Sequence, residues 1–203
     1  MEADKQTELL ILDAAEKVFF RKGKDGSSMQ DIADEAKITR TSLNYYYRSK
    51  DKLFEAVFKS AMGKFIPKLS MLLNSEASIT EQLPRIVEMI IDSMIEHPQI
   101  PVFVLQELSS NPERISLVYS ELGIDPEVIF RHFMSDELLM KQGVDPRQLI
   151  MNVISMCIFP FAAKPLVLTL MYDGDEQAYI EAMKQRKVMI PTLLDKMLKT
   201  NMK

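Results

Sequence analysis

The chain has 203 residues, 47% of them hydrophobic and 27% charged, which excludes disordered and fibrous classes and allows one small domain plus a larger one with its own core. A single cysteine, Cys157, excludes an intrachain disulfide. The two histidines, His97 and His132, stand far apart and lack a Cys/His/Asp cluster of ligand spacing, so no metal and no cofactor is expected. The formal net charge of −4 divides unevenly: residues 1–60 hold 11 Lys and Arg against 11 Asp and Glu, and residues 61–203 hold 14 against 18. Any polyanionic partner must therefore be held by local placement of Arg21, Lys22, Lys24, Lys37, Arg40, Arg48, Lys50 and Lys52.

The polar, acidic start of the chain lacks the apolar core of a secretory signal, so the cytoplasm is the expected compartment. The first predicted helix covers residues 6–22, with Ile11, Ala14, Ala15, Val18 and Phe19 at i, i+3, i+4, i+7 and i+8. Arg21, Lys22 and Lys24 crowd its C-terminus, where the macrodipole favours cations, and Gly23 and Gly26 mark its stop. Ser28 and Asp31 have capping-box spacing and start a second helix at Met29, whose buried stripe is Met29, Ile32, Ala33 and Ala36. Gln30 and Asp34 face away.

A short turn follows, with Ile38 as an apolar plug and Thr39 as N-cap of a third helix over residues 40–46. Leu43 points inward and Tyr47 closes this small core. Arg40, Thr41, Asn44 and Tyr45 lie on the other side. Two short helices, a tight turn and a polar outer face on the second make a helix-turn-helix.

The run I-L-D-A-A-E-K-V-F, followed by S-M-Q-D-I-A-D-E-A-K-I-T-R-T-S-L-N-Y-Y-Y-R-S-K-D-K-L-F, resembles the N-terminal domain of the TetR family of bacterial transcriptional repressors over about residues 8–58. Two positions depart from the usual pattern. Lys37 stands in the turn where the family usually has glycine, at a steric cost of about 1–2 kcal/mol if that residue is left-handed. Thr41 stands where glycine or proline is frequent, so base preference is not carried over.

The resemblance implies a recognition helix entering a major groove about 12 Å wide, with its N-terminal residues meeting base edges. Arg40 is placed to bond guanine O6 and N7, and Thr41 and Ser42 to offer a hydroxyl or a methyl contact to thymine. Asn44 and Tyr45 are expected on base or phosphate, and Tyr46 matches a family position that commonly touches the DNA backbone. Ser49 caps a fourth helix, with Lys50 just inside it as a phosphate cation. Ser28 adds a backbone contact and Gln30 a groove contact. With Thr39, the expected DNA-binding set is Ser28, Gln30, Thr39, Arg40, Thr41, Ser42, Asn44, Tyr45, Tyr46 and Lys50.

The predicted organisation is a DNA-binding domain over residues 1–50 and a helical regulatory and dimerisation domain over 51–203, connected by a helix over 51–74. Leu53, Phe54, Val57 and Phe58 continue the first core, and Pro67 kinks that helix. Further helices are expected over 79–96 and from Pro98 and Pro101 to Leu108. Two more are expected within 111–143, separated around Gly123. No strand alternation appears, so the fold class is all-α. Residues 149–171 approach membrane-spanning length, but Asn152, Pro160, Lys164 and Pro165 interrupt them, and a buried interface helix is the expectation.

The last two helices, 147–171 and 175–198, carry apolar stripes: Met151, Ile154, Ile158, Phe161 and Ala162 on the first, and Ile180, Met183, Val188, Ile190, Leu194 and Met197 on the second. In the resembling family such helices form a four-helix interface with a second subunit. A ligand pocket is expected among Met62, Phe65, Met94, Phe103, Gln106, Tyr119, Phe130, Met134 and Met156, in a chain with 15 methionines, whose flexible thioethers suit adaptable sites. The expectation is a homodimeric repressor on a near-palindromic operator of double-stranded DNA, released by a small apolar or amphipathic molecule. The alternative is a helix-turn-helix regulator controlled by a protein partner or by abundance. No acid/base or nucleophile constellation points to an enzyme.

Overall fold

In the computed structural model the described residues are 2–73, 77–125, 127, 131, 133–136, 139 and 143–200. Every element among them is an α-helix: α1 (Glu2–Lys22), α2 (Met29–Glu35), α3 (Arg40–Tyr46), α4 (Lys50–Gly63), α5 (Ile66–Leu73), α6 (Ile79–Glu96), α7 (Ile100–Ser110), α8 (Arg114–Glu121), α9 (Pro146–Ala162), α10 (Lys164–Tyr172) and α11 (Glu176–Thr200).

Two hydrophobic cores form. The first joins Ile11, Ala15, Val18 and Phe19 of α1 to Ile32 and Ala33 of α2, Leu43 of α3 and the apolar face of α4. Its far side is closed by Ile100 and Phe103 of α7 and Val118 of α8. Phe103 is the keystone, with ring centroids 4.7 Å from Phe20, 5.3 Å from Phe54 and 5.8 Å from Phe58, within the range of favourable aromatic pairs. Helices α7 and α8 thus pack directly onto the first core, and α4 belongs wholly to that core. The second core surrounds α6, which packs against α5, α9 and α11.

Prolines correct two predicted helices. The single helix expected over 51–74 is two, with a break at Lys64–Phe65, because Pro67 in the first turn of α5 cannot donate a hydrogen bond to Gly63 and crowds its carbonyl. Lys64 at the break is tied to Glu16 of α1 at 2.9 and 3.1 Å. The helix expected over 147–171 is also two, α9 and α10, bent by 77°. Pro165 sits at the start of α10, where a proline is tolerated, and the chain turns at Ala163. Among the described residues no single helix is long and apolar enough to cross a membrane.

Pro160, by contrast, lies inside α9 without breaking it. Its missing N–H leaves the Met156 carbonyl without its usual helical donor, and Arg186 of α11 donates there from Nη2 at 2.8 Å. The Pro160 carbonyl, in the last turn of α9, accepts from the Tyr179 hydroxyl at 3.2 Å. Two side chains of α11 therefore satisfy the backbone groups that this proline and the helix end leave open.

Candidate nucleic-acid interface

The first helix of the motif is started by a complete capping box. The Ser28 N–H donates to Asp31 Oδ2 at 2.8 Å and the Asp31 N–H donates to Ser28 Oγ at 3.1 Å. Lys22 adds a 2.6 Å ion pair to Asp31 Oδ1. Its ammonium, together with the Ser28 hydroxyl and N–H, holds the Asp31 carboxyl well below the usual carboxylate range.

The turn between the two helices is a Schellman motif. Lys37 N–H donates to the Asp34 carbonyl at 3.1 Å and Ile38 N–H to the Ala33 carbonyl at 3.0 Å. That pattern demands a left-handed residue after the cap, and Lys37 takes it with φ 55°. The strain expected for a lysine in place of glycine is therefore present. Gly26 has the opposite kind of constraint, since a Cβ there would lie 2.5 Å from the Lys22 carbonyl oxygen.

Thr39 Oγ1 accepts from the Ser42 N–H at 3.1 Å and starts α3. Leu43 is fully buried beneath it. The C-terminal end of α3 is tied back to α1: Tyr46 donates to Asp4 and Tyr47 to Glu8, each at 3.2 Å. Burial, with the Glu8 carboxylate alongside, pushes the Tyr47 phenol up to about 12. Seven residues cannot hold a helix alone. These caps and ties fix α3 as a rigid rod.

The expected DNA-binding set separates by what its side chains already do. Ser28 and Thr39 are caps, Gln30 donates to Asp34 at 2.7 Å, and Tyr46 is bonded to Asp4. The Lys50 ammonium donates to the carbonyls of Lys24 at 2.8 Å and Ser27 at 3.0 Å, closing the α1–α2 loop against the start of α4. Arg40, Thr41, Asn44 and Tyr45 are exposed, Tyr45 at 80%, and none forms a hydrogen bond or ion pair with the described residues. Ser42, half-buried in the first turn of α3, lies beside them.

The cations divide in the same way. Arg21 pairs with Glu35 at 3.4 Å, Lys22 with Asp31 at 2.6 Å and Lys24 with Asp51 at 3.1 Å. Among the described residues Lys37, Arg40, Arg48 and Lys52 are exposed and form no ion pair, and all four lie in or flank the turn, α3 and the start of α4. Sequence reasoning collected eight cations without ranking them. Only the fold shows that the chain's own carboxylates and carbonyls occupy four of them.

The nine residues expected to line a ligand pocket have different surroundings among the described residues. Met62 is buried in the first core and Met94 in the second, Phe65 and Tyr119 pack between them, Met156 leans on the second core and Met134 is 46% exposed. Phe130 lies outside the described residues. Phe103 and Gln106 do line a cavity, at the junction of α1, α7 and the α9–α10 corner. The stripes expected on the last helices split: Phe161, Met183, Ile190 and Leu194 are buried, whereas Met151, Ile154, Val188 and Met197 are exposed. Phe159 is 60% exposed as well.

An all-helical body carrying a helix-turn-helix with an unoccupied polar face and flanking free cations defines a DNA-binding transcriptional regulator. Residues 11–57 match the bacterial regulatory proteins of the tetR family. It is similar to the probable helix-turn-helix transcriptional regulator YttP of Bacillus subtilis, with 22% identity over 191 residues and 89% of each chain covered. A match to IcaR of Staphylococcus aureus, the negative transcriptional regulator of the biofilm operon icaADBC, has 34% identity over 107 residues but spans 52% of this chain and 55% of that protein. The structure of FadR from Bacillus subtilis in complex with stearoyl-CoA shares the fold, with 17% identity, 92% of this chain and 97% of that one covered, and a TM-score of 0.60. The family and these relatives are transcriptional regulators rather than enzymes.

Proposed function

We propose that the protein is a homodimeric repressor that binds a near-palindromic operator and is released by a small apolar or amphipathic molecule. The observation that carries this reading is the outer face of α3, where Arg40, Thr41, Asn44 and Tyr45 stand exposed and unbonded on a helix held rigid at both ends. Arg40 presents its planar fork to guanine, and Thr41 and Ser42 sit where a hydroxyl or methyl meets the next base. Lys37, Arg48 and Lys52 neutralise phosphates and add affinity without sequence information.

A second copy is supported by the apolar side chains that α9 and α11 leave exposed: Met151, Ile154, Phe159, Val188 and Met197 are each 45% or more exposed. Two-fold pairing through them places two α3 helices about one helical turn of DNA apart, roughly 34 Å or a multiple of it. The repressing role is favoured by the name of IcaR, and ligand control by the acyl-CoA in the FadR structure.

The test is to select fragments of the protein's own genome with the purified dimer and measure affinity for a recovered site against random DNA. Arg40→Ala is expected to weaken the selected site by about 1–3 kcal/mol and to relax preference at one base pair. Equal losses on selected and random DNA would remove Arg40 from the base-reading role.

A further inference from the structure

Three adjoining cavities run along the junction of the two cores. The largest, about 580 Å³, lies between the end of α1, the start of α7 and the α9–α10 corner. One of about 400 Å³ shares Phe20, Arg21 and Gln99 with it, and one of about 210 Å³ shares Lys22, Gly23, Phe103 and Gln106. Together they form a groove with the DNA-reading unit as one wall and the regulatory body as the other. Its central chamber is within the size range of small-molecule sites.

The chamber has a definite chemistry. Phe20, Val102, Phe161 and Pro165 offer apolar surface, while Arg21, Lys22 and Lys164 are its charged residues, and no carboxylate lines it. Each cation is engaged elsewhere by one carboxylate, Lys22 with Asp31 at 2.6 Å and Lys164 with Glu176 at 2.9 Å. Arg21 has the longest of these pairings, 3.4 Å to Glu35, and its side chain is 60% exposed, so its guanidinium is the most readily redirected. The first residues of α7 and α10 bound the chamber too, and neither helix has a side-chain cap bond. The 400 Å³ arm is unlike it: Asp13 and Glu16 line that arm beside Lys17 and Arg21, so it offers an anion no net positive charge.

We infer that this groove is the effector site and that its ligand is an amphipathic carboxylic acid, with the apolar body on Phe20 and Val102 and the carboxylate on Arg21 and Lys164. The inference rests on the reading of the protein as a ligand-released regulator. A ligand touching both walls favours one separation of them, which is the differential affinity that a population shift requires. The route to the DNA is short. Residues 22–26 line the far arm, and Lys50 binds the carbonyls of Lys24 and Ser27. A displaced wall therefore pulls on the start of α4, immediately after α3.

The experiment uses the full-length protein with decanoate and 1-naphthoate as probes, and decanol and 1-naphthamide as their neutral counterparts. Calorimetry reads binding, and fluorescence anisotropy reads release from a selected operator. The acids are expected to bind about tenfold more tightly than the neutral probes, as one charge-assisted contact predicts, and to weaken operator binding. Val102→Trp fills the chamber and is expected to abolish acid binding. Lys164→Gln is expected to narrow the gap between acid and neutral probes while neutral binding persists, which tests the site even if the tryptophan variant does not fold. Acids that bind both variants as they bind the wild type, and still release the operator, would overturn the groove and leave ligand-released regulation standing. If no acid binds a wild-type protein that grips its operator, the inference fails on its own. A protein that does not prefer its own operator overturns the functional reading itself.

Discussion

Lys50→Met separates two roles that the sequence alone assigned to one. As a phosphate cation at the start of a helix, Lys50 would matter only when DNA is bound. Its ammonium instead donates to two partly buried carbonyls, those of Lys24 and Ser27, and so joins the α1–α2 loop to α4 in the free protein. A hydrogen bond from a charged donor contributes about 1.5–3 kcal/mol. Water reaches these carbonyls once methionine replaces lysine, so the low end applies, and two such bonds come to roughly 3 kcal/mol. For a chain of this length that is a fall of roughly 5–10 °C in Tm. The variant is to be followed by thermal unfolding and by operator affinity across a salt series. The expected result is a lower Tm with the slope of log K against log salt unchanged. An unchanged Tm together with a slope reduced by about 1 would refute the clamp and return Lys50 to the phosphate.

Asp31 has a carboxyl pKa lowered by Lys22 and Ser28, so its contribution to stability is present above the unfolded value, about 4, and is lost as pH falls through the lowered folded value. Asp31→Asn is therefore expected to be less stable than the wild type near neutral pH and to converge with it in strong acid, as measured by urea unfolding at several pH values. Arg114 is the counter-ion of Glu107, which is 6% exposed, and its guanidinium lies 5.6 Å from the Phe54 ring centroid. Arg114→Met leaves that carboxylate with the Asn111 amide at 3.1 Å but without its counter-ion, and should cost about 3 kcal/mol, much of it regained when Glu107→Met is added. Phe159→Asp combined with Val188→Asp places charges on the proposed pairing face. Sedimentation velocity should then show a monomer with native helical circular dichroism, and a persistent dimer would move the pairing surface elsewhere.

The first core was legible because its cues are local. Ile11, Ala14, Ala15, Val18 and Phe19 repeat at helical spacing, the Ser28 and Asp31 pair announces a cap, and Thr39 announces another; each occupies the place its spacing predicts. The left-handed Lys37 was foreseeable from a two-helix turn that usually needs glycine. Helix breaks were less legible, because a proline's effect depends on whether its neighbours rescue the freed carbonyl. Pro160 is rescued by Arg186, 26 residues on, whereas Pro67 and Pro165 begin new helices. Of this cavity's lining only Phe103 and Gln106 were expected, because its walls come from residues 19–23, 98–106 and 161–165, which no periodicity links. Met62 and Met94, also expected at a pocket, are buried in the first and second cores respectively.

Arg186 and Tyr179 do more than repair Pro160. Each grips a particular carbonyl of α9, so α11 can engage α9 in one register. A slip of one helical turn, about 5.4 Å, would strand both carbonyls at roughly 1–3 kcal/mol each. The two helices that carry the exposed apolar side chains are thereby welded into one plate. Under the proposed pairing, whatever alters the distance between the two reading heads must tilt that plate as a unit, for its two halves have no gear in which to slide.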